Sequence, residues 1–257
     1  MNRFNFRLLM LGLLCMLLML GCKSSTLVQS DTADKSNPQL KNVQDSAEIL
    51  RKIIAASGMD DISHVLQIRF TFNVHHGENK LSRQWTWRPR EDKVTLTHPG
   101  PTGESISLSF IRSEVLANPD APTNVRMADR WFINDSFWLM MPLHLSWQDT
   151  AKLGIQDHGM TALPIGEGQA HHVTVTFPKS DIGGGGYTPG DVYDLYLDDQ
   201  YLIKQWAFRK AGKQTPNLVN TFDAYAKIGE MHIAMNHENP NGFKLWFSDV
   251  TVVTDNK

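Results

Sequence analysis

Ten histidines, 27 carboxylates, two cysteines and one run of glycines are the residues of this 257-residue chain that could carry chemistry. His75-His76 and His171-His172 have the side chains of zinc ligands. Adjacent residues on a strand point to opposite faces, however, so neither pair places both rings on one metal without a bulge. His144 and His158 could join a site, but the HExxH spacing of a zinc protease is absent, and no metal is predicted. Asp191, Asp194, Asp198 and Asp199 are the residue type used by a glycosidase pair or a Ca²⁺ site. They fall on a turn and on the polar positions of a strand, where solvated carboxylates belong. No GxSxG elbow occurs, and no Ser-x-x-Lys motif sits in a suitable context. Gly183–Gly186 lacks the GK[ST] ending of a phosphate loop and leads through Thr188-Pro189-Gly190 into a strand, so it reads as a loop. No cofactor and no catalytic residue is expected. A hydrolase acting on envelope glycans or lipids, with Asp or His as acid and base, ranks last among the functional readings.

Cys22 has the most informative surroundings. Arg3 and Arg7 open the chain, Leu8 to Leu20 is an apolar run interrupted only by Gly12, and Gly21 precedes the cysteine. The run is shorter than the roughly 20 residues a membrane-spanning helix needs, which makes it the core of an export signal. Leu18-Met19-Leu20-Gly21-Cys22 resembles the lipobox of bacterial lipoproteins. That resemblance implies cleavage before Cys22 and acylation of its thiol. Lys23 stands where inner-membrane retention would place an Asp, which implies the outer membrane, with the domain facing the periplasm. Cys15 would leave with the signal, so no disulfide is available and the fold must rest on its hydrophobic core. The formal charge of −2 loses two more cations with Arg3 and Arg7. A broad basic surface for nucleic acid is therefore excluded, and membrane contact is expected through the acyl anchor alone.

These residues must be positioned by a small set of elements. Lys23 to Val43 is polar and lacks apolar periodicity, which predicts a tether. Asp45 and Glu48 have capping-box spacing; Ile49, Leu50, Ile53 and Ile54 make a helical stripe, and Gly58 is the expected stop. From Val65 the period changes to two, with Leu66, Ile68, Phe70, Phe72 and Val74 on one face. The same alternation predicts strands around Trp85-Thr86-Trp87, Val94 to Leu96, Ile106 to Phe110, Val173 to Phe177, Tyr193 to Leu197, Trp206 to Phe208, Met231 to Met235 and Phe243 to Val252, with a hairpin turn at Asp198-Asp199-Gln200. Ala128 to Asp149 is the densest stretch of bulky side chains, and Pro142 predicts a helix before it and a loop or short strand after. The domain plan is a signal at 1–21, an acylated N-terminus and tether at 22–44, and one domain at 45–257. The expected class is α+β: a large curled antiparallel sheet with helices on its apolar face.

Seven Trp and twelve Phe exceed what a minimal β core requires. A curled sheet with this apolar face either closes over a packed core or leaves a greasy cavity under the Trp131 to Trp147 segment, and alternation alone does not separate the two. The order of elements, with Asn134-Asp135-Ser136-Phe137-Trp138-Leu139-Met140-Met141-Pro142, Leu145-Ser146-Trp147 and Trp85-Thr86-Trp87, resembles the lipoprotein-carrier superfamily of LolA and LolB type. That resemblance implies a half-barrel around helices, with an apolar cavity for a lipid or acyl-chain ligand. No binding residue carries over position by position. The side chains expected to line or cover the cavity are Trp85, Trp87, Trp131, Phe137, Trp138, Met140 and Met141. The competing reading is an interaction lipoprotein whose core is full and whose surface binds a protein partner.

Overall fold

The computed structural model describes residues 38–58, 61–148, 152–179 and 189–255. Cys22, the expected signal segment and Gly183–Gly186 lie outside the described residues. The described chain opens with α1 (Pro38–Ala56), followed by a meander of β1 (Val65–His76), β2 (Asn79–Arg88), β3 (Lys93–Pro99) and β4 (Ser105–Ile111). Two helices follow, α2 (Arg112–Ala117) and α3 (Thr123–Ser146). A second meander contains β5 (Gly154–Ala162), β6 (Gln169–Thr176), β7 (Val192–Leu197), β8 (Ile203–Arg209) and β9 (Leu218–Thr221). Then β10 (Asp223–Ile228), β11 (Met231–Glu238) and β12 (Lys244–Thr254) return to the first sheet, where β12 pairs with β1. The result is an α+β half-barrel, and the curled sheet is divided in two: β10-β11-β12-β1-β2-β3-β4 and β5-β6-β7-β8-β9, antiparallel throughout.

The division falls at Phe222. Its N–H still bonds the Lys204 carbonyl at 2.7 Å in the second sheet, while Asp223 already pairs with Asn236 in the first. A buried aromatic side chain thus marks the corner where the wall changes sheets. A bulge between Val65 and Gln67 changes the phase of β1, so Val65 is buried and Leu66 is turned outward, contrary to the simple alternation.

Two helix boundaries also differ from the sequence reading. α1 is helical from Pro38, ahead of the Asp45 at which the sequence reading starts the helix. Proline is well tolerated in the first helical turn, where its missing N–H breaks no bond. Asp45 is then inside the helix rather than capping it, and Glu48 instead pairs with Lys52 at 3.0 Å. The stripe Ile49, Leu50, Ile53 and Ile54 is buried as its spacing requires. The helix stops where Gly58 turns to φ +80°; a Cβ there would lie 1.9 Å from the Glu230 carbonyl oxygen. α3 continues through Pro142 to Ser146, without the expected loop. Pro142 cannot donate to the carbonyl four residues back, and the chain absorbs this at Met140, whose φ −141°, ψ 43° is non-helical. Among the described residues, no helix is long and apolar enough to cross a membrane.

Candidate functional site

The centre of α3 is buried on nearly every side: Asp135, Ser136, Phe137, Trp138, Leu139, Met140 and Met141 are all inaccessible or nearly so. A helix apolar all round belongs in an interior, and α3 touches both sheets. Phe132 meets Trp85 and Trp87 of β2 at ring distances of 5.5 and 5.6 Å. On the other side, Phe137 lies 5.1 Å from Tyr193 of β7, and Trp138 lies 4.4 Å from Trp206 of β8.

The contact with β2 is fixed by charge. Arg83 shares the inner face of β2 with Trp85 and Trp87, where an unpaired guanidinium would be prohibitively desolvated. It finds Asp135 on α3: Nε donates to one carboxylate oxygen at 2.7 Å and Nη2 to the other at 2.6 Å. Asp135 also accepts from Trp85 Nε1 at 2.8 Å and Asn134 Nδ2 at 3.0 Å. The guanidinium lies over the rings of Phe72 and Trp131, at 5.1 and 5.2 Å. Burial pushes the Asp135 carboxyl upward against the pull of Arg83, Asn134 and Trp85. The pair therefore serves to locate α3 more than to gain free energy from its charges.

The contact with the second sheet is looser. Between α3 and β7–β9 lies a cavity of about 180 Å³, lined by Ile133, Asn134, Phe137 and Trp138 on the helix and Tyr193, Trp206, Phe208 and Leu218 on the sheet. Two of the side chains expected at the cavity, Phe137 and Trp138, meet there. Trp138 and Met141 also border a void of only 20 Å³ against Ile53 and Tyr201. Trp131 faces an outer cleft of about 210 Å³ with Lys80, Leu81, Arg83 and His98. Trp85 is held by Asp135, Trp87 is packed between Phe132 and Trp147, and Met140 is buried at the kink. The sheet half of the lining, Tyr193, Trp206, Phe208 and Leu218, was not singled out from the sequence. The parity of Trp206 and Phe208 within one strand was its only signal.

Asp191 and Asp198 have structural partners. Asp191 accepts from the Ala211 N–H, and Asp198 accepts from the N–H groups of Gln200 and Leu202 to build its turn. Among the described residues no group of three or more His, Cys, Asp or Glu is placed to hold a metal. Burial, with Arg112 nearby, holds His144 neutral, its pKa lowered to about 3. On the outer face of the second sheet, His158 and His172 stack at 4.3 Å, His172 and Tyr196 at 4.7 Å, and Thr174 Oγ1 donates to Asp194 at 2.7 Å. Arg209 Nη2 donates to the same carboxylate at 2.8 Å.

Burial would raise the Asp194 carboxyl, but hydrogen bonds from His172, Thr174 and Arg209 outweigh it and hold the pKa at about 2. An acid whose folded pKa is depressed contributes stability that is present above its unfolded value, near 3.8, and is lost as pH falls toward 2. Asp194→Asn is expected to cost about 2 kcal/mol at neutral pH. Urea unfolding at a series of pH values should show that deficit closing between about pH 5 and pH 2. A deficit constant with pH would mean that Asp194 acts by packing.

No protein-family model matches the chain, and no curated protein matches it. Solved structures do match. A DUF1329 family protein from Desulfovibrio piger matches over 84% of this chain and 95% of its own, with 10% identity and a TM-score of 0.43. A LolA superfamily protein from Nitrosomonas europaea matches over 82% and 94%, with 9% identity and a TM-score of 0.45. The lipoprotein LppX of Mycobacterium tuberculosis matches over 80% and 96%, with 10% identity and a TM-score of 0.31. The likeness is one of fold.

Proposed function

We propose that this is a lipoprotein of the bacterial envelope, anchored to the outer membrane through acylated Cys22, that holds a lipid or acyl chain between α3 and β7–β9 without catalysing a reaction. The observation that carries this reading is the 180 Å³ cavity walled by Phe137, Trp138, Tyr193, Trp206 and Phe208. Its size is comparable with the roughly 150 Å³ apolar cavities that stay dry and take up benzene, and below the roughly 300 Å³ at which drug-sized pockets begin. As it stands it admits one ring or a short stretch of chain. A longer acyl ligand requires the 133–140 segment of α3 to move away from β8, and the break at Met140 supplies a hinge. Each methylene buried there contributes about 0.8 kcal/mol, so a chain binds without any catalytic group.

A second reading has support from the other side of α3, where Trp85, Trp87 and Phe132 are packed tightly. If the whole interior is core, the protein acts through a surface that binds a protein partner. The test is native mass spectrometry with solvent extraction on Lys23–Lys257 secreted into a periplasm without its acylated cysteine. A stoichiometric lipid or acylated species is expected. No such species, and no uptake of an apolar fluorescent probe, would replace carriage by partner binding.

A further inference from the structure

The inner face of the second sheet carries polar groups that the fold leaves without partners. Asn220 on β9 is 0% exposed, and neither its amide oxygen nor its amide nitrogen has a hydrogen-bond partner among the described residues. It pairs directly across the ladder with Trp206, so the two side chains share a face with Leu218, and both Trp206 and Leu218 line the cavity. The Trp206 Nε1 donor is also buried and without a partner among the described residues. Beyond Phe222, whose ring lies 4.9 Å from Trp206 and 4.3 Å from His237, the fully buried His237 imidazole lies against the backbone of Thr221 and Ala234. Burial outweighs the neighbouring backbone of Thr221 and Ala234 and keeps this ring neutral, with a pKa of about 3.

Buried amides and indoles are almost always paired, because a lost partner costs the full desolvation of the group. Two such groups lie next to each other at one aromatic corner, Trp206 on the cavity wall and Asn220 beside it across the ladder, and form a set of donors and acceptors open to a guest. The set is uncharged. A phosphate or carboxylate brought here would be desolvated with no cation to meet it. A carbonyl or hydroxyl oxygen of a neutral molecule could accept from Trp206 Nε1 and exchange hydrogen bonds with the Asn220 amide.

Resting on the cavity reading above and deepening it, we propose that the Trp206–Asn220 corner is a recognition subsite for the uncharged ester or hydroxyl head of a neutral acyl lipid, whose chain occupies the aromatic cavity. The ligand class is then a neutral acyl ester such as an acylglycerol, and the head enters first. Each hydrogen bond of this kind is worth up to about tenfold in affinity, and an analogue that leaves the same groups unpaired forfeits it.

The experiment uses the full chain in phosphatidylcholine nanodiscs and two diazirine probes of equal chain length, a monoacylglycerol and a plain hydrocarbon, with crosslinks mapped to the Tyr193–Leu218 peptides. Wild type is expected to favour the ester by about tenfold. Asn220→Leu, which is close in volume and removes an unpaired buried amide, should fold at least as stably, lose most of that preference and still label with the hydrocarbon. Trp206→Phe should lose part of it. Equal preference in wild type and Asn220→Leu would overturn the subsite alone, leaving a trapped water as the partner of Asn220. Labelling of these peptides by neither probe would overturn the cavity itself and this inference with it.

Discussion

Asp135→Ala is expected to lower the stability of the protein by about 3–5 kcal/mol, because it strands a buried guanidinium. Arg83 is 8% exposed and enclosed by Phe72 and Trp131, so water cannot replace the carboxylate without opening the interior. For a domain of this size the loss corresponds to a fall of roughly 10 °C in Tm. The double variant Arg83→Met, Asp135→Leu should recover most of it, since a buried ion pair replaced by well-packed apolar residues is often neutral. Recovery should fall short by about 1 kcal/mol, because Trp85 Nε1 still lacks its acceptor. Thermal and urea unfolding of wild type, Arg83→Met, Asp135→Leu and the double variant measures the coupling. Additive losses would show that Arg83 and Asp135 contribute separately, and that α3 is held on β2 by the aromatic contacts alone.

The strands with a full apolar face, such as those of Trp85 and Trp87 or of Val173 and Val175, were legible because one buried face imposes a period of two on the sequence. β5 and β10 were not, and neither has a single buried residue: both are edge strands whose polar and small side chains carry no alternation to read. α2 was missed for the same reason, and β9 because four residues are too few for a pattern. Pro142 was read correctly as a local breaker and wrongly as an end, since packing on both sides of α3 holds the helix together across the kink. Arg83 was overlooked although its parity with Trp85 and Trp87 placed it on the apolar face. That placement alone demanded a buried acid, and Asp135 is the carboxylate at the centre of the densest apolar segment. The helix side of the cavity, Phe137 and Trp138, was visible as a cluster in sequence. The sheet side was not, because it is assembled from β7, β8 and β9 by pairing. Asn220 and His237 had no signal: a polar residue in a strand is ordinarily an outward one, and only register reveals that these two face inward.

Trp138→Ala should lose about 3–5 kcal/mol of stability and at the same time gain capacity for an acyl chain longer than the space left by one truncated side chain in a packed core would hold. The indole lies 4.4 Å from Trp206 and 5.3 Å from His237, ring to ring, and it also forms part of the cavity wall. Its removal therefore forfeits core contacts and enlarges a space that is already empty. If that space admits an acyl chain, an apolar fluorescent fatty-acyl probe at about 100 times its Kd returns about 2.7 kcal/mol to the variant. Leu96→Ala serves as the comparison, since Leu96 is 1% exposed on β3 of the other sheet. It should lose about 2–5 kcal/mol and regain none of it with the probe. The measurement is thermal unfolding of wild type and both variants with and without probe. Rescue confined to Trp138→Ala ties ligand binding to the α3–β8 side of the interior. Equal responses from the two variants would mean that the interior is uniform core, that the 180 Å³ space is a packing defect, and that the function of the protein lies on its surface.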